Sequence, residues 1–299
     1  MQAITKLFGH LDPRDQNARH DFCELLFIAL AAGLCGAKNC TDFARFARES
    51  AAPFFRSVDA SRADILAALA ARSCDLALTM NFPAVLKESF TVRFPLGVVN
   101  CHGSLLPRYR GNACPNWAIL AGDGETGITL HQVRPGELDN GSILMQRRFL
   151  LNDQLDIGDV YRWYEEAIPA AFAELVEALA AGAIAPIPQN EATATFSYPR
   201  RADDARLDLS RPAADCLRLI RASSRPFSGA FCTFEGKTRV TVWKASLAPR
   251  PGRIFAAAGQ VLGVDDDSRP TIWTGDGAIR FDDYEPEAPV SIGRRSRFG

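Results

Sequence analysis

The chain lacks a long hydrophobic run. Its longest apolar stretch, Phe22 to Gly36, contains Glu24 and falls short of the roughly 20 residues a membrane helix needs. It also lacks a basic flank leading into an A-x-A cleavage site, so no signal peptide is expected. Neither sign of charge is in excess: 34 Lys+Arg stand against 35 Asp+Glu, which excludes a strongly basic nucleic-acid binder and a disordered acidic chain alike. No C-x-x-C pair occurs. The eight cysteines (Cys23, Cys35, Cys40, Cys74, Cys101, Cys114, Cys216 and Cys232) are scattered without the Cys/His spacing of a zinc site. They read as reduced, buried thiols, with neither a structural disulfide nor a metal. Internal repeats and low-complexity tracts are absent. These absences predict a cytoplasmic protein with no membrane partner. The 299 residues, 47% of them apolar, suffice for two ordinary domains.

Hydrophobic spacing divides the chain. In the first fifty residues Asp21 can cap a helix with Glu24 three residues on. Phe22, Leu25, Leu26, Ala29 and Leu30 then recur at helical spacing until Gly36, and a second helix is expected from Thr41 to Arg48. From about Pro53, strand and helix signals alternate. Phe54-Phe55 is a short apolar run, Ser61 and Asp64 start a helix carrying Ile65, Leu66 and Leu69, and Leu76 to Met80 reads as a buried strand. Further strands are expected at Gly97 to His102 and Gly127 to Val133, and this rhythm implies a parallel sheet covered by helices. A long amphipathic helix follows from Asp159 to Leu179, ended by Gly182. Ala185 to Asn190 then reads as a stiff polar linker and a domain boundary. Past Ala192 come short β runs (Phe231 to Phe234, Thr238 to Trp243, Gly259 to Val264, Thr271 to Trp273), one helix near Ala213 to Ala222, and a Gly275-Asp276-Gly277 turn into Ala278 to Phe281. That pattern suits a small β-barrel. Arg294-Arg295-Ser296-Arg297 reads as a solvated basic tail.

The chemistry concentrates in Asn100-Cys101-His102-Gly103-Ser104-Leu105-Leu106-Pro107-Arg108-Tyr109-Arg110-Gly111. If Val98 to His102 is a strand, period two places Asn100 and His102 on one face at its carboxyl end, where open α/β sheets bind ligands. An imidazole beside a carboxamide suits an oxyanion on a carbonyl under attack, because both donate hydrogen bonds where charge develops. A carboxylate is then needed to orient the imidazole or receive a proton, and Asp139, in Gly136 to Gly141, is the candidate. Alternation turns Cys101 to the opposite face, as core rather than nucleophile. By residue type alone, the three could equally be a loop histidine, a strand-end amide and a turn aspartate, and Arg108 and Arg110 a solvated face.

The run N-C-H-G-S-L-L-P-R-Y-R-G, with the later G-D-G-E-T-G-I-T-L-H and L-D-N-G-S-I-L, resembles the 10-formyltetrahydrofolate-dependent formyltransferases, which include methionyl-tRNA formyltransferase and the sugar-amine N-formyltransferases. The resemblance covers roughly residues 53 to 290. It implies an α/β fold: a parallel Rossmann-like sheet, here missing its first strands, plus a carboxyl-terminal OB-like β-barrel domain. The implied partition is a helical segment over 1–50, a catalytic domain over 51–188 and the barrel domain over 192–299. It implies Asn100, His102 and Asp139 as the catalytic trio and Thr79, Met80, Asn81 and Phe82 as the lining of a pterin slot, with Ser104 and Leu105 in the wall of the same cleft. The cosubstrate would be 10-formyltetrahydrofolate, and no metal is required. The pair Asn116-Trp117 and the segment Arg225 to Phe231 are similar to the branch that formylates 4-amino-4-deoxy sugars on nucleotide carriers. Residues 200–299 are nearly balanced in charge, whereas a tRNA would favour a basic barrel. A nucleotide-linked amino sugar is therefore the expected amine, with methionyl-tRNA as the alternative and a folate hydrolase, using water as nucleophile, as a third reading.

The start departs from that family, which opens with an apolar strand, a Gly-containing loop, a helix and a second strand. Residues 4 to 48 resemble instead the amino-terminal segment associated with DDE-type insertion-sequence transposases, without any of the transposase's catalytic carboxylates. This implies a chimera joined between Arg45 and Phe55, and an inactive remnant of a formyltransferase as a further alternative. A divergent but native helical start is the other reading.

Overall fold

The computed structural model describes residues 55–299 apart from 56, 58, 72, 73, 83, 250 and 251. The helices expected over the first fifty residues and the transposase-like segment lie outside the described residues, as does the expected junction up to Phe55. In chain order the elements are α1 (Ala63–Ala70), β1 (Ala77–Met80), α2 (Glu88–Thr91), β2 (Val98–His102), β3 (Arg110–Gly111), α3 (Cys114–Ala121), β4 (Glu125–Gln132), β5 (Ile143–Leu150), α4 (Ile157–Ala180), β6 (Phe196–Ser197), α5 (Ala213–Ser223), β7 (Ala230–Phe234), β8 (Thr238–Ala248), β9 (Val261–Val264), β10 (Pro270–Trp273) and β11 (Ala278–Pro286). None of these helices is long and apolar enough to cross a membrane.

Two compact units share these elements. One takes the chain as far as Gly111, with Gly127–Arg148 and Trp163–Phe196, and the other takes Asn112–Thr126, Phe149–Arg162 and Ser197–Gly299.

The first unit is built on a four-stranded sheet in the order β1-β2-β4-β5. Strands β1 and β2 are parallel, as expected, but β4 runs antiparallel to β2, so the sheet is mixed rather than wholly parallel. The strand-helix-strand rhythm misleads here because α3 is not part of the same unit as this sheet. It belongs to the second unit, where Asn116 Nδ2 donates to the Ala222 carbonyl of α5 at 2.8 Å. With no helix to carry the chain back along the sheet, β4 returns from the end at which β2 left it, and Thr129 sits opposite His102.

Period two sorts the strand residues to two faces. Leu78, Val99, Cys101, Ile128 and Leu130 pack against Ile168, Ala171, Phe172 and Leu175, which recur at helical spacing along α4. Each large side chain buried there stabilises the fold by roughly 1.5–3 kcal/mol. Val98 faces the other way, onto Ile65 and Leu69 of α1 and Phe90 of α2. The α1 helix begins without the expected Ser61 cap, since Arg62 occupies the N-cap and no side-chain cap is made. Gly182, at φ +64, follows α4 as expected. The stretch after it is more than a linker, because Ile187 exchanges both backbone hydrogen bonds with Ile143 at 2.8 Å.

The second unit carries a five-stranded sheet ordered β7-β8-β11-β10-β9, antiparallel throughout. The Gly275 to Gly277 turn joins β10 to β11 as a hairpin. The basic tail is not simply solvated. Phe298 bridges Phe234 at the end of β7, Arg297 bridges Gln260 beside β9, and together they close the sheet on itself. Phe298 is 1% exposed and packs edge-on against Phe234 and Phe281. The single apolar residue among the arginines gives the tail an inward anchor, which is why charge alone misreads it.

Candidate functional site

Strand register brings three polar side chains into line across the first sheet. Thr79 of β1 is paired with Asn100 of β2, and Asn100 with His131 of β4. All three lie on the face opposite the α4 core. Thr79 Oγ1 donates to Asn100 Oδ1 at 2.9 Å, and Asn100 Nδ2 lies 3.1 Å from His131 Nε2. His131 Nδ1 lies 2.9 Å from the Gln132 carbonyl, which can only accept, so Nδ1 carries the proton and Nε2 accepts from Asn100. The chain of bonds thereby fixes which way the Asn100 amide points.

His102 follows two residues later on the same face and is buried. Its Nε2 donates to the Tyr109 carbonyl at 2.8 Å, and its Nδ1 lies 3.5 Å from Asp139 Oδ2. With Nε2 committed to a carbonyl, a proton on Nδ1 makes an imidazolium that faces a carboxylate. Both partners of His102 sit on left-handed backbone, Tyr109 at φ +57 and Asp139 at φ +51. Aspartate tolerates that region, whereas tyrosine adopts it at a cost, a strain of the kind that collects at functional sites. Asp139 Oδ2 also accepts the Gly111 N–H at 2.9 Å, and Oδ1 lies 3.6 Å from His131 Nε2. Burial works to raise the Asp139 pKa. The His131 ring beside it, the charge on His102 and the Gly111 N–H outweigh that burial and hold the carboxyl below the usual range. Gly141, just beyond, is required by close approach: a Cβ there would meet the Gln132 carbonyl oxygen at 1.7 Å.

The expected trio of Asn100, His102 and Asp139 is thus brought together. The residues expected to line a folate slot are placed more diversely. Thr79 is spent on Asn100. Met80 is half-buried against the α4 core, Asn81 turns the chain at φ +51 and is exposed, and Phe82 leans on the α1 and α2 cluster. Ser104 is buried and its hydroxyl donates to the Arg108 carbonyl at 2.6 Å, so it shapes the loop rather than presenting a free polar group. That loop is tied to β4, since Thr129 Oγ1 donates to the Ser104 carbonyl and accepts the Leu106 N–H. Leu105 lies over Gly127, where a Cβ would come within 2.6 Å of its Cδ2. Cys101 faces the opposite core as alternation predicts, and burial pushes its thiol up to about 12. Arg110 is not on a solvated face, being 2% exposed. Among the described residues no three His, Cys, Asp or Glu side chains are grouped to hold a metal.

His131 is the participant that sequence reasoning missed. Its signal lies in T-L-H, where Thr129 and His131 alternate along one strand. Only the antiparallel register, which the sequence rhythm misstates, sets His131 beside Asn100.

A mixed sheet with Asn100 and His102 at a strand end and half-buried Asp139 beside them, accompanied by an antiparallel barrel, is the arrangement that the resemblance to the formyltransferases implies. The chain belongs to that family: the formyl transferase signature matches residues 25–176, and that of the formyl transferase C-terminal domain matches residues 200–292. The first match begins inside the segment that resembles the transposase-associated one. A methionyl-tRNA formyltransferase of Nitrobacter hamburgensis is 36% identical over 209 residues, covering 69% of this chain and 64% of that protein. The chain thus spans just under two thirds of that relative's length. In fold, it is similar to HypX from Aquifex aeolicus in complex with tetrahydrofolic acid, with a TM-score of 0.57 and 22% identity over 75% of this chain and 37% of that one. It is likewise similar to an N-formyltransferase from Helicobacter canadensis in complex with folinic acid and dTDP-3-aminofucose, with a TM-score of 0.55 and 17% identity over 79% of this chain and 81% of that one.

Proposed function

We propose that this chain transfers a formyl group from 10-formyltetrahydrofolate to a primary amine. The observation that carries the reading is the convergence of Asn100, His102 and Asp139 on one side of the β2 carboxyl end, with His102 Nδ1 3.5 Å from Asp139 Oδ2. An uncharged amine attacks the formyl carbon, forming a C–N bond and a tetrahedral oxyanion. The Asn100 amide has a second N–H beyond the one given to His131, and it holds that oxyanion. The pair of His102 and Asp139 takes the proton lost by the amine. The bond from the carbon to N10 breaks and N10 receives a proton, leaving a formamide and tetrahydrofolate. Folate would lie along the Thr79 to Phe82 turn and the Ser104-Leu105 loop.

For the amine, we favour the amino group of methionyl-tRNA over the nucleotide-linked amino sugar expected from the motifs, a reading supported by the methionyl-tRNA formyltransferases more than 30% identical to this chain. The sugar-binding neighbour is similar in fold alone. The test offers the purified chain 10-formyltetrahydrofolate with methionyl-tRNA in one assay and with a nucleotide-linked 4-amino-4-deoxy sugar in another, reading the formamide by mass. Formylated methionyl-tRNA supports the reading. A formylated sugar alone restores the motif-based one. Failure of both, together with no thermal shift by 5-formyltetrahydrofolate, identifies a noncatalytic remnant.

A further inference from the structure

The segment that leads from α4 to β6 reads as a spacer in sequence, yet it is bound to the site along its length. Thr195 Oγ1 accepts the Tyr109 N–H at 2.8 Å, and the Thr195 carbonyl accepts the Arg110 N–H at 2.8 Å. Gln189 lies at the centre of the segment's contacts. Its Nε2 donates to the carbonyls of Asp139 and Gly141, each at 2.8 Å. Its Oε1 accepts from Arg110 Nε at 3.1 Å and Nη2 at 2.8 Å. Every hydrogen-bonding site of the amide is used, and no other uncharged side chain of that length offers two donors and an acceptor in one plane. Arg110, buried, completes its fork on Glu191 at 2.7 and 2.8 Å. Its neighbour Gly111 donates its N–H to Asp139 Oδ2. The two ends of Asp139 are thus held by one dipeptide: the carboxylate directly by Gly111, and the main chain by Arg110 through Gln189.

We infer that Gln189 is a positioning residue: braced by Arg110, it clamps the left-handed backbone at Asp139 so that the carboxylate stays aligned with His102. The inference rests on the role given to Asp139 in the proposed transfer, but its signature can be read without turnover. Geometry sets the consequence, since a misplacement of about 1 Å in such a site can cost roughly a hundredfold in rate. The titratable groups facing the Asp139 carboxylate are His102 of β2 and His131 of β4, and Gly111 of β3 supplies a neutral N–H.

The test uses the full chain with carbon-13 aspartate, following the Asp139 carboxyl signal against pH after assigning it by its loss in Asp139→Asn. Gln189→Met keeps the length and removes every hydrogen bond, and Arg110→Lys keeps the charge and removes the fork. In both, the Asp139 titration is expected to move up by about half a unit or more towards the ordinary value of about 3.9. Turnover should fall about tenfold or more, with KM for 10-formyltetrahydrofolate changed less than about threefold. Glu191→Gln, at the exposed end of the fork, should change each readout least. A folded Gln189→Met or Arg110→Lys protein whose Asp139 titrates within about 0.2 unit of the parent overturns the inference. Unfolding of both variants also overturns it, in favour of a purely structural tie. If the parent formylates no amine, the proposed function fails, and the titration comparison still judges the clamp.

Discussion

His102 has one ring nitrogen committed to the Tyr109 carbonyl and the other facing Asp139. His102→Ala and Asp139→Ala should each lower formyl transfer by at least about a hundredfold. Both should leave 5-formyltetrahydrofolate binding within a few-fold of the parent, which calorimetry would check. Near-normal turnover in either variant would show that the trio does not carry the reaction. Asp139 also makes stability depend on pH. Because its folded pKa is depressed, its contribution is fully present above the unfolded value of about 3.9 and is lost as pH falls through the folded value. The thermal midpoint of the parent should therefore exceed that of Asp139→Asn at pH 5, and the gap should narrow only as pH falls below about 4. A gap absent at pH 5, or one that closed while the pH was still above about 4, would mean that the neighbours do not hold Asp139 ionised.

At the scale of elements, the site is a product of register. Thr79, Asn100 and His131 meet because β1, β2 and β4 align them, and no two of the three lie close in the chain. Thr79→Val keeps the shape and removes the donor to Asn100 Oδ1. Turnover should drop about tenfold, equivalent to the 1–3 kcal/mol cost of an unmet buried acceptor, with the thermal midpoint little changed. An unaltered rate would show that the Asn100 amide keeps its orientation without Thr79. Register also explains what could be read in advance. The strands around Leu78, Val98 to His102 and Ile128 to Leu130, the long helix and the β-rich end all carry local periodicity, and so they were legible. Asn100, His102 and Asp139 were legible through a long motif. The direction of β4 was not, because α3 groups with elements far along the chain, where Asn116 donates to Ala222, and local periodicity carries no sign of that. His131 and Gln189 were hidden for the same reason: each acts on a residue about 30 to 50 positions away.

At the scale of the molecule, the second unit depends on a few residues at its margin. Phe298→Ala removes a ring packed on Phe234 and Phe281 and should cost about 3–5 kcal/mol, measured by denaturant unfolding. A loss below about 1 kcal/mol would mean that the tail merely rests on the barrel.

The tail also sets a schedule for synthesis. Arg297 to Gly299 are made after every other strand of the barrel, yet they stand between β7 and β9. Until those residues emerge from the ribosome the two edges stay open, and open edges invite pairing with other chains. The barrel is therefore completed only once Phe298 has emerged, which makes the interval between the emergence of Phe234 and that of Phe298 the period in which the nascent protein is most open to pairing with other chains.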